Sequence, residues 1–242
     1  MFLDFFKSRL RPGFFDGACD MHSHILPGVD DGIQDVGRAT RALLLLNRIG
    51  YKKVKLTPHF MKDYPENTRA NIEARFQAFL TEVGDETPVE LSLGGEYMLD
   101  SCFMDRCEEG FLTLDKNNTL VLCETSYMSA DPQAPNMLYQ AMLKGYQPVI
   151  AHPERYNYAS MATYHRWKEK DYLLQLNLLS LAGAYGETAR SKARALLKEG
   201  TYDYVGSDLH RDKDLRDIIY SIRLSNKERD QLQRLLENNK EL

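Results

Sequence analysis

A chain of 242 residues, 43% hydrophobic and 27% charged, has ordinary globular composition and room for one large domain or two small ones. A formal charge of -4 argues against a nucleic-acid backbone as the main partner. No apolar run approaches the roughly 20 residues of a membrane helix, and MFLDFFKSRLRPG, with an early acid and a short apolar patch, does not read as a signal peptide.

Residues 1–19 read as an N-terminal arm, whose start MFLDFFKSRLRPG is either an amphipathic arm or, more simply, a short helix packed on the domain. ACDMHSHI is a first strand. DVGRATRALLLLNRIG has helical spacing and a stop at Gly50. KKVKLTPH is a second strand and NTRANIEARFQAFLTEVG a second helix. VELSLGGEYML and NTLVLCETS are the third and fourth strands. The helical APNMLYQAMLKG leads to QPVIAHPE, the fifth. TYHRWKEKD is a short polar helix that leaves His165 on the surface. YLLQLNLLSLAG is a long sixth strand, ETARSKARALLKEG a helix and YDYVGSDLH the seventh strand. The tail from Asp212 to Leu242 is helical and highly charged.

Strand and helix alternate throughout, which means right-handed crossovers and a parallel sheet. No linker splits the chain, so residues 1–242 read as a single α/β domain. Seven units suggest a closed or nearly closed barrel, with an open doubly wound sheet as the alternative.

His22 and His24 sit two apart on the first strand, so both imidazoles face one side. Asp30 and Asp31 follow after the Pro27-Gly28 turn. The other strands close on His59, Glu96, Glu124, His152 with Glu154 and Arg155, and Asp208 with His210. In parallel α/β architectures these strand ends share one face, the face that carries active sites. One strand-end histidine is ordinarily a hydrogen-bonded core residue; six strand ends converging are a site. Carboxylates gathered so closely repel unless cations neutralise them. The pattern therefore reads as a multinuclear metal centre of nitrogen and oxygen donors, suited to Mn, Fe or Zn. Asp208-x-His210 repeats the logic of His22-x-His24. The two pairs become neighbours if the barrel closes.

DMHSHILPGVDDG, TPH, GGEYML, ETSY, AHPER and GSDLH, in this order, resemble the polymerase-and-histidinol-phosphatase (PHP) superfamily. Within it they resemble the bacterial manganese-dependent protein-tyrosine phosphatases of capsule and exopolysaccharide loci, the CpsB/YwqE type. The resemblance runs from about Asp20 to His210. It implies a distorted (β/α)7, TIM-like barrel with two to three divalent metal ions, foremost Mn, at the C-terminal rim of the strands. It implies that His22, His24, Glu96 and Asp208 hold a first metal. Glu96 would bridge to a second held by Glu124 and His152. His59 and His210 would hold a third with Asp30 or Asp31. Arg155 would grip the phosphate, helped by Arg211 or Arg216 in the loop HRDKDLRD. Arg155, Asp208 and His210 are the expected catalytic residues. The family often has a second histidine where this chain has Phe60, a departure at a position not needed as a ligand.

The resemblance also implies a phosphotyrosine-bearing partner, a bacterial tyrosine autokinase, and leaves a homo-oligomer open. Cys19, Cys102, Cys107 and Cys123 form no C-x-x-C pair, so reduced thiols and a cytoplasmic location are the default. A thiol mechanism needs C-x-x-x-x-x-R. The sixth residues after these cysteines are Ile25, Glu108, Thr113 and Ser129, so it is excluded. Metal-assisted hydrolysis of a phosphomonoester remains. A small-molecule phosphatase, such as one for histidinol phosphate, is the alternative; a phosphodiesterase ranks third and a non-catalytic regulatory module last. Tyr97, Tyr127 and Tyr156, just past strand ends, either line the pocket mouth or pack under the rim loops.

Overall fold

The computed structural model describes residues 7–84, 87–212 and 215–242. In chain order the elements are β1 (Ser8–Arg9), β2 (Cys19–Asp20), α1 (Val36–Ile49), β3 (Lys53–Leu56), β4 (His59–Phe60) and α2 (Arg69–Val83). Next come β5 (Glu90–Leu93), β6 (Glu96–Met98), α3 (Phe103–Glu109), β7 (Leu120–Glu124), α4 (Ala134–Leu143) and β8 (Gln147–Ala151). The last are α5 (Met161–Glu169), β9 (Leu173–Asn177), α6 (Gly186–Glu199), β10 (Tyr204–Gly206), α7 (Leu215–Ser221), β11 (Arg223–Leu224) and α8 (Asn226–Asn239).

Helix α1 shows why these residues form these elements. Asp35 caps it by accepting the Arg38 N–H, and Ala39, Ala42, Leu43, Leu46 and Ile49 form its buried stripe. Strands β7 and β8, with four buried residues each at their C-terminal ends, read as near-continuous apolar runs because both faces are covered.

Six parallel strands run in the order β10-β9-β8-β7-β6-β4, and three more in the order β2-β3-β5. Backbone bonds beyond the strand ends join the two sheets. Asp208 N–H donates to His22 O, His24 N–H to Leu209 O, Thr57 N–H to Ser23 O, and Glu96 N–H to Pro58 O. Hydrogen bonding thus passes from β10 through residues 22–24 and 57–58 back to β6, a distorted barrel whose strand ends meet at one rim. Asp20 fastens the closure by accepting both the Ser207 N–H at 2.9 Å and the Ser207 hydroxyl at 2.5 Å. At Gly206 an added Cβ would lie 2.6 Å from the His22 Cβ, so only glycine lets β10 approach the first strand.

Several elements differ from the sequence-based expectation. The second and third strands are each broken in two, at Thr57-Pro58 and Gly94-Gly95, and their halves join different sheets. The sixth strand stops at Asn177, whose side chain accepts the Leu179 N–H and starts a 3-10 turn over Leu178–Ala182. The tail is two helices separated by β11, which pairs with β1. The N-terminal arm, expected as a short helix, is no helix over residues 7–19: Ser8–Arg9 form a strand paired with β11 and turns follow, while residues 1–6 lie outside the described residues. Helix α3, burying Phe103 and Cys107, was not anticipated.

Candidate metal centre

The two histidines of the first strand are fully buried and face the same point. His22 Nε2 and His24 Nε2 lie 3.2 Å apart. Glu96 Oε2 is 3.3 and 3.2 Å from them, and Asp208 Oδ1 is 3.4 Å from each. The rear nitrogens settle which atoms carry protons. Gln175 Nε2 donates to Leu176 O, which turns its Oε1 to accept the His22 Nδ1–H at 3.1 Å and the His152 N–H at 3.2 Å. His24 Nδ1–H donates to Asp30 Oδ2 at 2.8 Å. Both Nε2 lone pairs are thereby left facing Glu96 and Asp208.

Around this inner cage lie two further groups. Glu96 Oε1 is 3.0 Å from His152 Nε2, and Glu124 Oε2 is 3.8 Å from the same nitrogen. His59 Nδ1 stands 2.9 Å from Glu124 Oε1 and 3.2 Å from Glu96 Oε2. Toward solvent, Asp31 Oδ1 lies 3.4 Å from both His59 Nε2 and His210 Nε2. His210 Nδ1–H donates to the Asp208 carbonyl, which aims its Nε2 at Asp31. Donor atoms of His22, His24 and Glu96, of His59, Glu96 and Glu124, and of His24, Asp31, His59 and His210 each fall within 4.8 Å of one another.

The sequence left Asp30 and Asp31 as equal candidates; their geometry separates them. Asp30 has no free face: Oδ2 takes His24 Nδ1–H and the His59 N–H, and Oδ1 takes the Gly32 N–H. An added Cβ at Gly32 would stand 2.2 Å from the His24 carbonyl oxygen, so the turn can close only with glycine. Expected as a possible ligand, Asp30 instead stands behind His24, and Asp31 alone reaches the cluster.

Glu96 Oε2, Glu124 Oε1, His59 Nδ1 and His152 Nδ1 are buried and make no hydrogen bond. Buried polar atoms seldom go unpaired. Here Glu96 Oε2 and two imidazole nitrogens stand near 3.3 Å from one another, donor atoms turned toward one shared point. Burial pushes the pKa of His24 down, but Asp30, Asp208 and Glu96 outweigh it and hold it well above its ordinary value. His59 is likewise pushed up to about 10, burial and His24 opposing while Asp31, Glu124 and Glu96 prevail. Glu96 is held well below the usual carboxylate range, burial resisting and His22, His152 and His24 overriding it. The donor set fits divalent cations: imidazole and carboxylate atoms, no thiolate. All four cysteines are free, and burial raises the Cys19 thiol to about 12.

Two of these side chains come from strained backbone. His152 (φ 33°) and Asp208 (φ 53°) occupy the left-handed region. Asp208 is the hub of the rim. Its Oδ2 accepts Arg155 Nη1–H at 2.7 Å and Asn177 Nδ2–H at 2.8 Å, while Oδ1 faces the histidines. The Arg155 guanidinium lies between two rings, 4.5 Å from Tyr127 and 4.1 Å from Tyr185. It opens on a cleft of about 560 Å³ that Asp31, Asp208, His210 and Arg211 also line. Arg216 lies instead on α7, over Tyr220, and does not line the cleft.

The model of the family described as "Capsular polysaccharide synthesis, CpsB/CapC" matches residues 18–240. The chain belongs to the CpsB/CapC family. Among curated relatives, the tyrosine-protein phosphatase YwqE of Bacillus subtilis (strain 168) is 28% identical over 198 residues, 80% of this chain and 78% of its own. The tyrosine-protein phosphatase CpsB of Streptococcus pneumoniae is 25% identical over 211 residues, 79% of this chain and 82% of its own. The same fold is seen in the crystal structures of YwqE from Bacillus subtilis and CpsB from Streptococcus pneumoniae, described as unique metal-dependent tyrosine phosphatases. The match has a TM-score of 0.73 at 24% identity and covers 93% of this chain and 88% of that one.

In this CpsB/CapC chain the structure also adds residues that the sequence reading passed over. Gln175 and Asn177 are polar residues two apart on the apolar β9, a same-face pair like His22 and His24, and that spacing was the available signal. Glu154, read from the sequence among the strand-end polar residues, faces away from the cluster: it accepts the Asn177 N–H and the Tyr202 hydroxyl and so ties AHPER to β9. Of the three strand-end tyrosines, Tyr97 and Tyr156 are core, with Tyr97 Oη accepting the Leu112 N–H and Tyr156 Oη donating to Ala151 O. Tyr127 alone reaches the site. His165 is exposed and paired with Glu199, as a surface residue should be.

Proposed function

We propose that this protein is a metal-dependent protein-tyrosine phosphatase acting in capsule or exopolysaccharide synthesis. The observation that carries the reading is a buried cluster of lone-pair donors, several without hydrogen bonds, at the edge of a cleft that also holds two arginines. The names of its family relatives support it.

The ligands are assigned as follows. His22, His24, Glu96 and Asp208 hold one cation; Glu96, Glu124 and His152 a second; Asp31, His59 and His210 a third. Asp30 orients His24. Manganese suits the oxygen and imidazole set. When bound, divalent cations acidify a water from a pKa of ~15.7 towards ~7 and neutralise phosphoryl oxygens.

The protein's own groups do the rest. Arg155, held in plane by Tyr127 and Tyr185, directs its remaining N–H groups at the phosphoryl oxygens, where charge-assisted bonds are the strong ones. Arg211 closes the other side of the phosphate. A phenolate leaving group has a pKa of ~10 and departs with little protonation, whereas a serine alkoxide needs a donor. The partner is a phosphotyrosine-bearing protein, a bacterial tyrosine kinase.

The test is hydrolysis by the manganese-reconstituted protein of four substrates: a phosphotyrosine peptide, a phosphoserine peptide, histidinol phosphate and a phosphodiester. The phosphotyrosine peptide should be hydrolysed fastest and chelation should abolish turnover. Faster release from histidinol phosphate or the diester would overturn the substrate, and activity surviving chelation would overturn the mechanism.

A further inference from the structure

The cleft that holds the arginines is two-sided. One side is the polar rim, with Asp31, Asp208 and His210. The other is apolar: Leu179 comes from the 3-10 turn after β9, and Leu215 and Ile218 come from α7, which packs against that turn. Tyr185 stands at the join, its ring stacked over the Arg155 guanidinium. Leu215 is buried, but Leu179 and Ile218 keep part of their surface exposed toward the cleft. Partly buried apolar side chains beside a guanidinium give the cleft an apolar surface that a ligand can cover while polar groups orient it.

We propose that this wall is the specificity element of the phosphatase: Leu179, Ile218 and the edge of Tyr185 receive the phenyl ring of phosphotyrosine while Arg155 holds its phosphate. The inference rests on the phosphatase reading above and adds to it. Leaving-group chemistry already favours aryl phosphates in the reaction itself. The wall favours them in binding, before any bond breaks. A serine or threonine phosphate would leave the apolar surface wet and gain nothing from it. Apolar burial at about 25 cal/mol per Å² makes a ring covered on one face worth about tenfold in affinity.

Phosphonates separate the two effects because their P–C bond is not hydrolysed. Benzylphosphonate carries the ring and methylphosphonate does not. Binding of both to the manganese-reconstituted protein is measured by titration calorimetry, for the wild type and for Leu179→Asn and Ile218→Asn made separately. Melting temperature and metal content accompany each. The wild type should prefer benzylphosphonate by about tenfold, and the preference should fall toward parity in either variant that keeps its fold and metals. Methylphosphonate affinity should be unchanged in both. Equal binding of the two phosphonates by the wild type would sink the wall while leaving the phosphate site standing. So would an undiminished preference in both folded variants. Failure to bind either phosphonate would instead overturn the phosphatase reading itself. Two separate variants guard against one that does not fold.

Discussion

The inner cage and the outer rim of the centre use the same donor types in opposite surroundings. His22, His24, Glu96 and Asp208 are buried, and nearly every donor is braced from behind: His22 by Gln175, His24 by Asp30, Asp208 by Arg155 and Asn177. At the rim, Asp31 is 60% exposed and His210 26%. Among the described residues, Asp31 pairs with the imidazoles of His59 and His210. Bracing sets rotamer and tautomer in advance, so a cation entering the cage meets an organised site. A cation at the rim must organise Asp31 itself. On the proposed assignment the cage would retain its cation and the rim would exchange its own.

The largest effect that would break this contrast is at Glu96, which touches cage and rim alike. Glu96→Gln should strip the protein of most of its metal and bring activity to background, whereas Asp31→Asn should lose one equivalent and keep the cage ions. Elemental analysis of both variants decides. Equal losses would mean that the two regions do not differ.

Next is Arg155, which braces Asp208 and, on the proposed reading, faces the substrate. Arg155→Ala should cost on the order of 10²–10³ in kcat while metal content and melting temperature stay near wild type. If instead metal is lost in step with activity, the guanidinium serves Asp208 and not phosphate.

A smaller effect tests bracing alone. Asp30→Asn keeps the shape but weakens the acceptor behind His24, and metal affinity should drop about 10–100-fold. An unchanged affinity by metal titration would show that tautomer control at His24 is unimportant.

The smallest is a pH dependence. His59, raised to about 10 in the metal-free protein, favours folding fully below its unfolded value near 6.5, and that contribution is lost as pH rises through about 10. Metal-free protein should therefore melt at lower temperature at pH 10 than at pH 7. Metal affinity should move the other way, rising with pH, because a cation must displace those protons. Melting curves with and without manganese at both pH values read the two signs; a metal-free protein stabilised by alkali would contradict them.

How far the sequence could be read follows from the range of each interaction. Strand ends were legible because His22-x-His24 and Asp208-x-His210 express a two-residue period, and because every rim segment ends an apolar run in a polar residue. The breaks at Thr57-Pro58 and Gly94-Gly95 were not, since two-residue strands such as β4 have no period to detect. The β1–β11 pair joins residues more than two hundred positions apart, and nothing local at Ser8 or Arg223 announces it. Choosing Asp31 over Asp30 required knowing which carboxylate His24 Nδ1 would claim. The Tyr127–Arg155–Tyr185 stack assembles three separate loops and leaves no trace in spacing.

The left-handed conformations of His152 and Asp208 give the centre a cost that can be measured without any ligand. Non-glycine residues held there typically cost about 1–3 kcal/mol each. Glycine bears no such penalty, so at these two positions the chain carries side chains that its backbone disfavours. Stability and activity are thus set against each other at two named residues. His152→Gly or Asp208→Gly would relieve that strain while removing a side chain the centre uses, so each variant should trade metal binding for stability.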